Sequence, residues 1–153
     1  MATGKELKEI SQKRANSAKH LLDAEDWEGA VYMMALSLEI ALKAAACKAL
    51  RLETYPEGQN RDDEYFKTHN LDRLPRVSGC SDIFQVTGNP DAFDNWSLFT
   101  GAFVFGSAQH WIAMRYDPKM LAIFTEEKAK ELYKALYQDD NSILRAMTGE
   151  LRW

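Results

Sequence analysis

The chain reads as an all-α protein with four long helices and one or more short ones, and three observations predict it. Asp26 to Leu52 is apolar over most of a helix circumference, with no Pro and a single Gly, Gly29. Helix-start signals recur at Asp26, at Asn89-Pro90 and at Thr125. No stretch of any length alternates apolar and polar residues with the strand period. At 153 residues the chain reads as one domain, 1–153, with a core over about 5–138 and a C-terminal extension from 139.

The first helix is expected from Gly4 to about Ala24, with Leu7, Ile10, Arg14, Ala18 and Leu21 on one face at steps of three and four. Arg14 is the odd member, a cation in an apolar row. Such an arginine commonly snorkels or pairs with a carboxylate, and it can also present charge to a groove. Asp26 is expected to cap the second helix by accepting from a free N–H of its first turn. So short a break makes the first two helices an antiparallel hairpin. Trp27, Val31, Met34, Leu38, Ala41, Ala45, Ala49 and Leu52 form the main apolar row of the second helix, and Met33, Leu36, Ile40, Ala44 and Cys47 a second one beside it. Its polar strip holds Glu28, Tyr32, Glu39 and Lys43, and the last two, four apart, suit an exposed ion pair.

Residues 53–68 carry Pro, Gly, Asn and a run of acids and read as a surface loop. A short helix follows around Leu71 and Leu74, capped by Thr68 or Asn70 and weakened or ended by Pro75. Asn89-Pro90 starts a third long helix that should run to about Tyr116. Phe93, Trp96, Thr100, Phe103, Val104, Ser107, Trp111 and Met114 form its inward face, while Leu98, Phe105 and Ile112 make another apolar row, suited to a thicker core or to a second copy of the chain. Asp117-Pro118 breaks this helix. Thr125, followed by Glu126 and Glu127, opens the fourth, which ends near Gln138, and Ile143 to Leu151 forms a short terminal helix.

An apolar share of 46% and a charged share of 27% are ordinary for a globular domain, so composition points to no special class. A net charge of −4 excludes a strong global pull toward nucleic acid or anionic membrane, though not a local basic patch. The N-terminal MATGKELKEI is unlike a signal peptide, and Lys43 and Lys48 interrupt the most apolar stretch, so a cytoplasmic protein without membrane attachment is expected. Cys47 and Cys80 fit no metal-ligand spacing and are expected to be buried free thiols.

His20, His69 and His110 lie on three separate segments, none with a second ligand at metal spacing, and no phosphate loop or nucleophile elbow is present. No metal and no cofactor is therefore expected. Candidate ligand-binding residues are Arg115 and Tyr116 at the end of the third long helix, together with His69, His110 and Arg14. Arg115 can either cap that helix end or present its guanidinium to a phosphate.

The order DWEGAVYMMALSLEIALKAA, THNLDRL, RYDP and FTEEKAKELYKAL resembles the HEPN domain family over roughly residues 5–138. Its motifs correspond here to Tyr32, the run Leu38 to Ala44, Thr68 to Leu71, Arg115-Tyr116, and Phe124 to Glu127. The resemblance implies an up-and-down four-helix bundle, frequently a homodimer, working in RNA metabolism, toxin–antitoxin modules or phage defence, often beside a small nucleotidyltransferase partner. Active members resemble metal-independent ribonucleases that carry an Arg, four to six residues, then a His. Here the positions at that spacing after Arg115 are Met120, Leu121 and Ala122, none of which transfers a proton. Arg14 and His20 satisfy the spacing, but a six-residue step turns about 120° round a helix and separates their faces. A non-catalytic module that dimerises and binds a partner protein or a nucleotide- or RNA-like ligand is thus the preferred expectation. A ribonuclease built from scattered residues such as Arg115, His69 and His110 is the alternative.

Overall fold

The computed structural model describes residues 2–56, 66–82, 84–103, 111–115 and 117–151. The described chain is all-α, and apart from an isolated bridge between Thr3 and Thr54 it holds no β pairing. Its elements are α1 (Gly4–Asp23), α2 (Trp27–Ala49), α3 (Leu74–Ser78), α4 (Pro90–Gly101), two 3-10 helices (Trp111–Arg115 and Pro118–Ala122), α5 (Glu126–Tyr133), a π turn (Lys134–Gln138) and α6 (Ile143–Leu151). Val104, Phe105, Ser107, His110 and Tyr116, all named from the sequence, lie outside the described residues.

Local chemistry explains where the helices start. Thr3 and Glu6 form a reciprocal capping box, with Glu6 N–H on Thr3 Oγ1 and Thr3 N–H on Glu6 Oε2. Asp26 accepts from Gly29 N–H at 3.0 Å, Asn89 from Ala92 N–H at 3.1 Å, and Thr125 from Lys128 N–H at 3.2 Å, as the sequence predicts. Both long helices end in Schellman closures. Asp26 N–H reaches Leu21 O and Glu25 N–H reaches Leu22 O, while Leu52 N–H reaches Cys47 O and Arg51 N–H reaches Lys48 O. Glu25 (φ 63°) and Arg51 (φ 54°) occupy the left-handed positions where glycine is usual.

The core is assembled around α2, which contacts α1, α3, α5, α6 and both 3-10 helices. Val31, Met34, Leu38, Ala41 and Ala45 are buried as expected, and Ala30, Ala35, Leu42 and Ala46 widen that face until it covers most of the circumference. By length and composition α2 could cross a bilayer; here its apolar surface is covered by its neighbours. The α1 face differs from the expected row. Ala18 is buried as expected, but Ser11 and Leu22 are buried while Ile10 is exposed; Ser11 Oγ donates to Ser37 O at 2.8 Å and so enters the interface satisfied. Ser37 Oγ in turn meets Met34 O and the Tyr137 hydroxyl, joining α1, α2 and the π turn. Cys47 and Cys80 are buried free thiols, and burial pushes the Cys80 thiol up to about 11.

Two further expectations are corrected. Pro75 opens α3 rather than ending a helix, since its missing N–H falls where no partner is needed, and Gly79 (φ 73°) closes it. The stretch that should complete a long third helix is, over Trp111–Arg115, a 3-10 turn. There the Trp111 ring is pinned inward by an Nε1–H bond to His69 O at 3.1 Å, and Pro118 blocks helical continuation. Leu98 and Ile112, assigned to a second apolar row, are half-buried against the same core.

Candidate functional site

The polar strip of α2 forms the floor of the site. Tyr32 and Glu39 are seven residues apart, two helical turns, so they lie on one face about 10 Å from each other. At Tyr32, Arg115 Nε donates to the hydroxyl at 2.6 Å, and the guanidinium carbon lies 5.8 Å from the ring centroid. Arg115 therefore ends a 3-10 turn and is held by an aromatic side chain, not by the end of a long α-helix. Trp111 packs beside Tyr32 with centroids 5.2 Å apart, and its N–H fixes the His69 backbone. The 3-10 turn and the His69 segment are thereby held against α2 together.

At the other end stands Glu39. Its side chain is only 4% exposed, which overturns the surface ion pair expected from sequence. Glu39 Oε1 accepts from Lys43 Nζ at 2.6 Å and from His69 Nδ1 at 2.9 Å. Oε2 is buried and has no hydrogen-bond partner among the described residues. Carboxylates are rarely buried unless paired, and here one oxygen serves two donors while the other serves none. The Lys43 side chain is 18% exposed, and its ammonium lies 5.4 Å from the centroid of the buried Tyr55 ring. The His69 side chain is 56% exposed, so with Nδ1 turned to the carboxylate its Nε2 edge is left toward solvent.

Two hollows flank this row. Near Arg115, one of about 490 Å3 is lined by Leu21, Asp26, Glu28, Tyr32, Met33 and Met114. Near His69, another of about 340 Å3 has Lys43, Lys67, Thr68 and His69 in its lining.

Of the residues chosen from sequence, Arg115 and His69 come to the same face of α2. Arg14 lies half-buried on α1 with its Nε unpartnered among the described residues, and no ion pair joins it to a carboxylate there. His110 and Tyr116 fall outside the described residues. Glu39, Lys43 and Trp111 were not singled out as site residues. The available signal was an acid inside a helix otherwise apolar on nearly every side. Among the described residues no group of His, Cys, Asp and Glu is arranged to hold a metal. Comparison of the chain with family models, with curated proteins and with solved structures finds no match.

Proposed function

We propose that this chain is a HEPN-type helical module that acts by binding rather than by catalysis, pairing with a second copy and holding a phosphate-bearing ligand, nucleotide or RNA-like, on the polar face of α2. One observation carries it: segments that the resemblance singles out separately converge on that face, Arg115 on Tyr32 and His69 on Glu39, with Trp111 tying the two together. A guanidinium and a histidine about two helical turns apart suit an extended anionic ligand better than a point charge. The absence of a histidine at the family spacing after Arg115 favours binding over cleavage. A nucleotidyltransferase partner and a toxin–antitoxin or phage-defence setting belong to the same proposal on family grounds alone. Titration of the purified chain with nucleotides and short RNA, repeated on Arg115→Ala and His69→Ala, tests the ligand. Equal binding by both variants and the unaltered chain would remove the site. The pairing is tested by molar mass in solution, where a clean monomer at micromolar concentration would sink it.

A metal-independent ribonuclease is the second reading, and the Glu39–His69 bond favours it. A histidine whose Nδ1 is held by a buried carboxylate presents Nε2 in a fixed tautomer, as a general base requires. Cleavage of mixed RNA without metal, lost in His69→Ala, would put this reading first.

A further inference from the structure

The hollow beside His69 has a mixed lining, basic and apolar. Lys43, Lys67, Thr68 and His69 line it together with Leu7, Ile40, Tyr55 and Phe66. No carboxylate lines it among the described residues, although the chain carries 23 acidic residues and a net charge of −4. Its nitrogen-bearing side chains are built in to different degrees. Lys43 is fixed by Glu39 on one side and by the Tyr55 ring face on another, yet an ammonium has three donors and Glu39 takes one. His69 is aimed by the same carboxylate oxygen. Lys67 is exposed at the rim. One buried anion thus holds two donors at a hollow that Leu7, Ile40, Tyr55 and Phe66 also line.

We propose that this hollow binds a single nucleoside monophosphate, its phosphate received by Lys43, Lys67 and His69 and its base laid against Phe66 and Ile40. This rests on the phosphate-ligand reading above and narrows it to one ligand class and one end of the α2 face. Charge agrees: Lys43 and Glu39 cancel, and Lys67 adds a positive charge toward a monoester of about −1.5 to −2, with His69 contributing a ring N–H. Size agrees as well, since about 340 Å3 lies at the small end of ligand sites, which span roughly 300–1,000 Å3. One nucleotide fits where a strand would have to leave the hollow. Glu39 is a positioning residue here, acting on the ligand only through Lys43 and His69.

The test is calorimetric titration of the full chain with the four ribonucleoside 5′-monophosphates, the matching nucleosides, inorganic phosphate, and an RNA oligonucleotide lacking terminal phosphates. The unaltered chain, Lys67→Ala, Glu39→Gln and Arg115→Ala are compared, with Lys130→Ala on α5 as control. At least one monophosphate should bind, with its nucleoside and inorganic phosphate each weaker by about tenfold or more. Lys67→Ala and Glu39→Gln should each lose about tenfold in affinity, and Lys130→Ala none. Nucleosides binding as well as nucleotides, or Lys67→Ala binding normally, would overturn the inference. Tight binding of the oligonucleotide alone, lost in Arg115→Ala but kept in Lys67→Ala, would overturn it while leaving the α2-face reading intact. Failure of every probe would remove both.

Discussion

Replacing Glu39 by leucine separates what the buried carboxylate does for the ligand from what it does for the fold. The substitution removes two charge-assisted hydrogen bonds, from Lys43 at 2.6 Å and His69 at 2.9 Å. Breaking a buried pair costs about 3–5 kcal/mol when the surviving charge stays buried. Here it does not, because the Lys43 and His69 side chains are 18% and 56% exposed and both can rehydrate. On the other side of the balance, the unpartnered Oε2 disappears, relieving about 1–3 kcal/mol of desolvation. An apolar side chain in that buried position adds about 1.5–3 kcal/mol. The net expectation for Glu39→Leu is stability unchanged or raised by about 1–2 kcal/mol, whereas Glu39→Ala, which leaves a cavity, falls by about 2 kcal/mol. Urea unfolding followed by circular dichroism, with midpoints compared at constant slope, measures both. A loss above about 3 kcal/mol for the leucine variant would refute the reasoning, since it would mean that the carboxylate stabilises the fold more than rehydration and packing can replace.

Glu25→Gly and Arg51→Gly should each stabilise by about 0.5–1 kcal/mol, because a left-handed residue with a Cβ costs about 1–2 kcal/mol and glycine returns part of that gain as unfolded-state entropy. Thermal unfolding should show a rise of about 2–4 °C per kcal/mol, and no rise would mean the two turns are held without strain. Leu42→Ala, in the fully buried centre of α2, should cost about 2–5 kcal/mol by chemical denaturation. Cys80 is raised in the fold from 9.0 to about 11, so its contribution is fully present below about pH 9 and is lost as pH climbs through about 11. Burial raises the Tyr55 and Tyr137 phenols as well and acts in the same direction at still higher pH. Urea midpoints should therefore drop between about pH 8 and about pH 10.5, and drop less in Cys80→Ala; equal drops would remove Cys80 from the account.

What could be read from the sequence was what local chemistry decides. Asp26, Asn89 and Thr125 cap where they should because a cap needs only the three or four residues that follow it. The middle of the main α2 row, Val31 to Ala45, is legible for the same reason, periodicity being a property of one segment, whereas Met33, Leu36 and Ile40 of the second row are only half-buried and Ala35, Leu42 and Ala46 lie inside instead. Glu39 was misplaced because its identity as a site residue depends on His69, thirty positions away, and an acid four before a lysine looks the same whether solvated or enclosed. The third long helix was overextended because nothing in WIAMR distinguishes a 3-10 turn from an α-turn; the long-range tie from Trp111 to His69 is absent from any local window. Arg115 was chosen for being a cation near a helix end, and it reached the site through Tyr32, a contact no spacing rule could supply.

The π turn at Lys134–Gln138 fixes the rotational phase of everything after it. Asp139 N–H bonds to Lys134 O, so one more residue is threaded into that turn than an α-helix accommodates. Ala135 and Leu136 are buried side by side there, and Tyr137, next in sequence, reaches Ser37 on α2. Excising a single residue from this turn would restore regular pitch and swing the following chain by about 100° about the helix axis. Tyr137 would leave Ser37, and Ile143 and Met147, both fully enclosed, would be carried round toward water. The turn acts as a phase-setting insertion, and a one-residue deletion there should do more damage than most substitutions at the same positions.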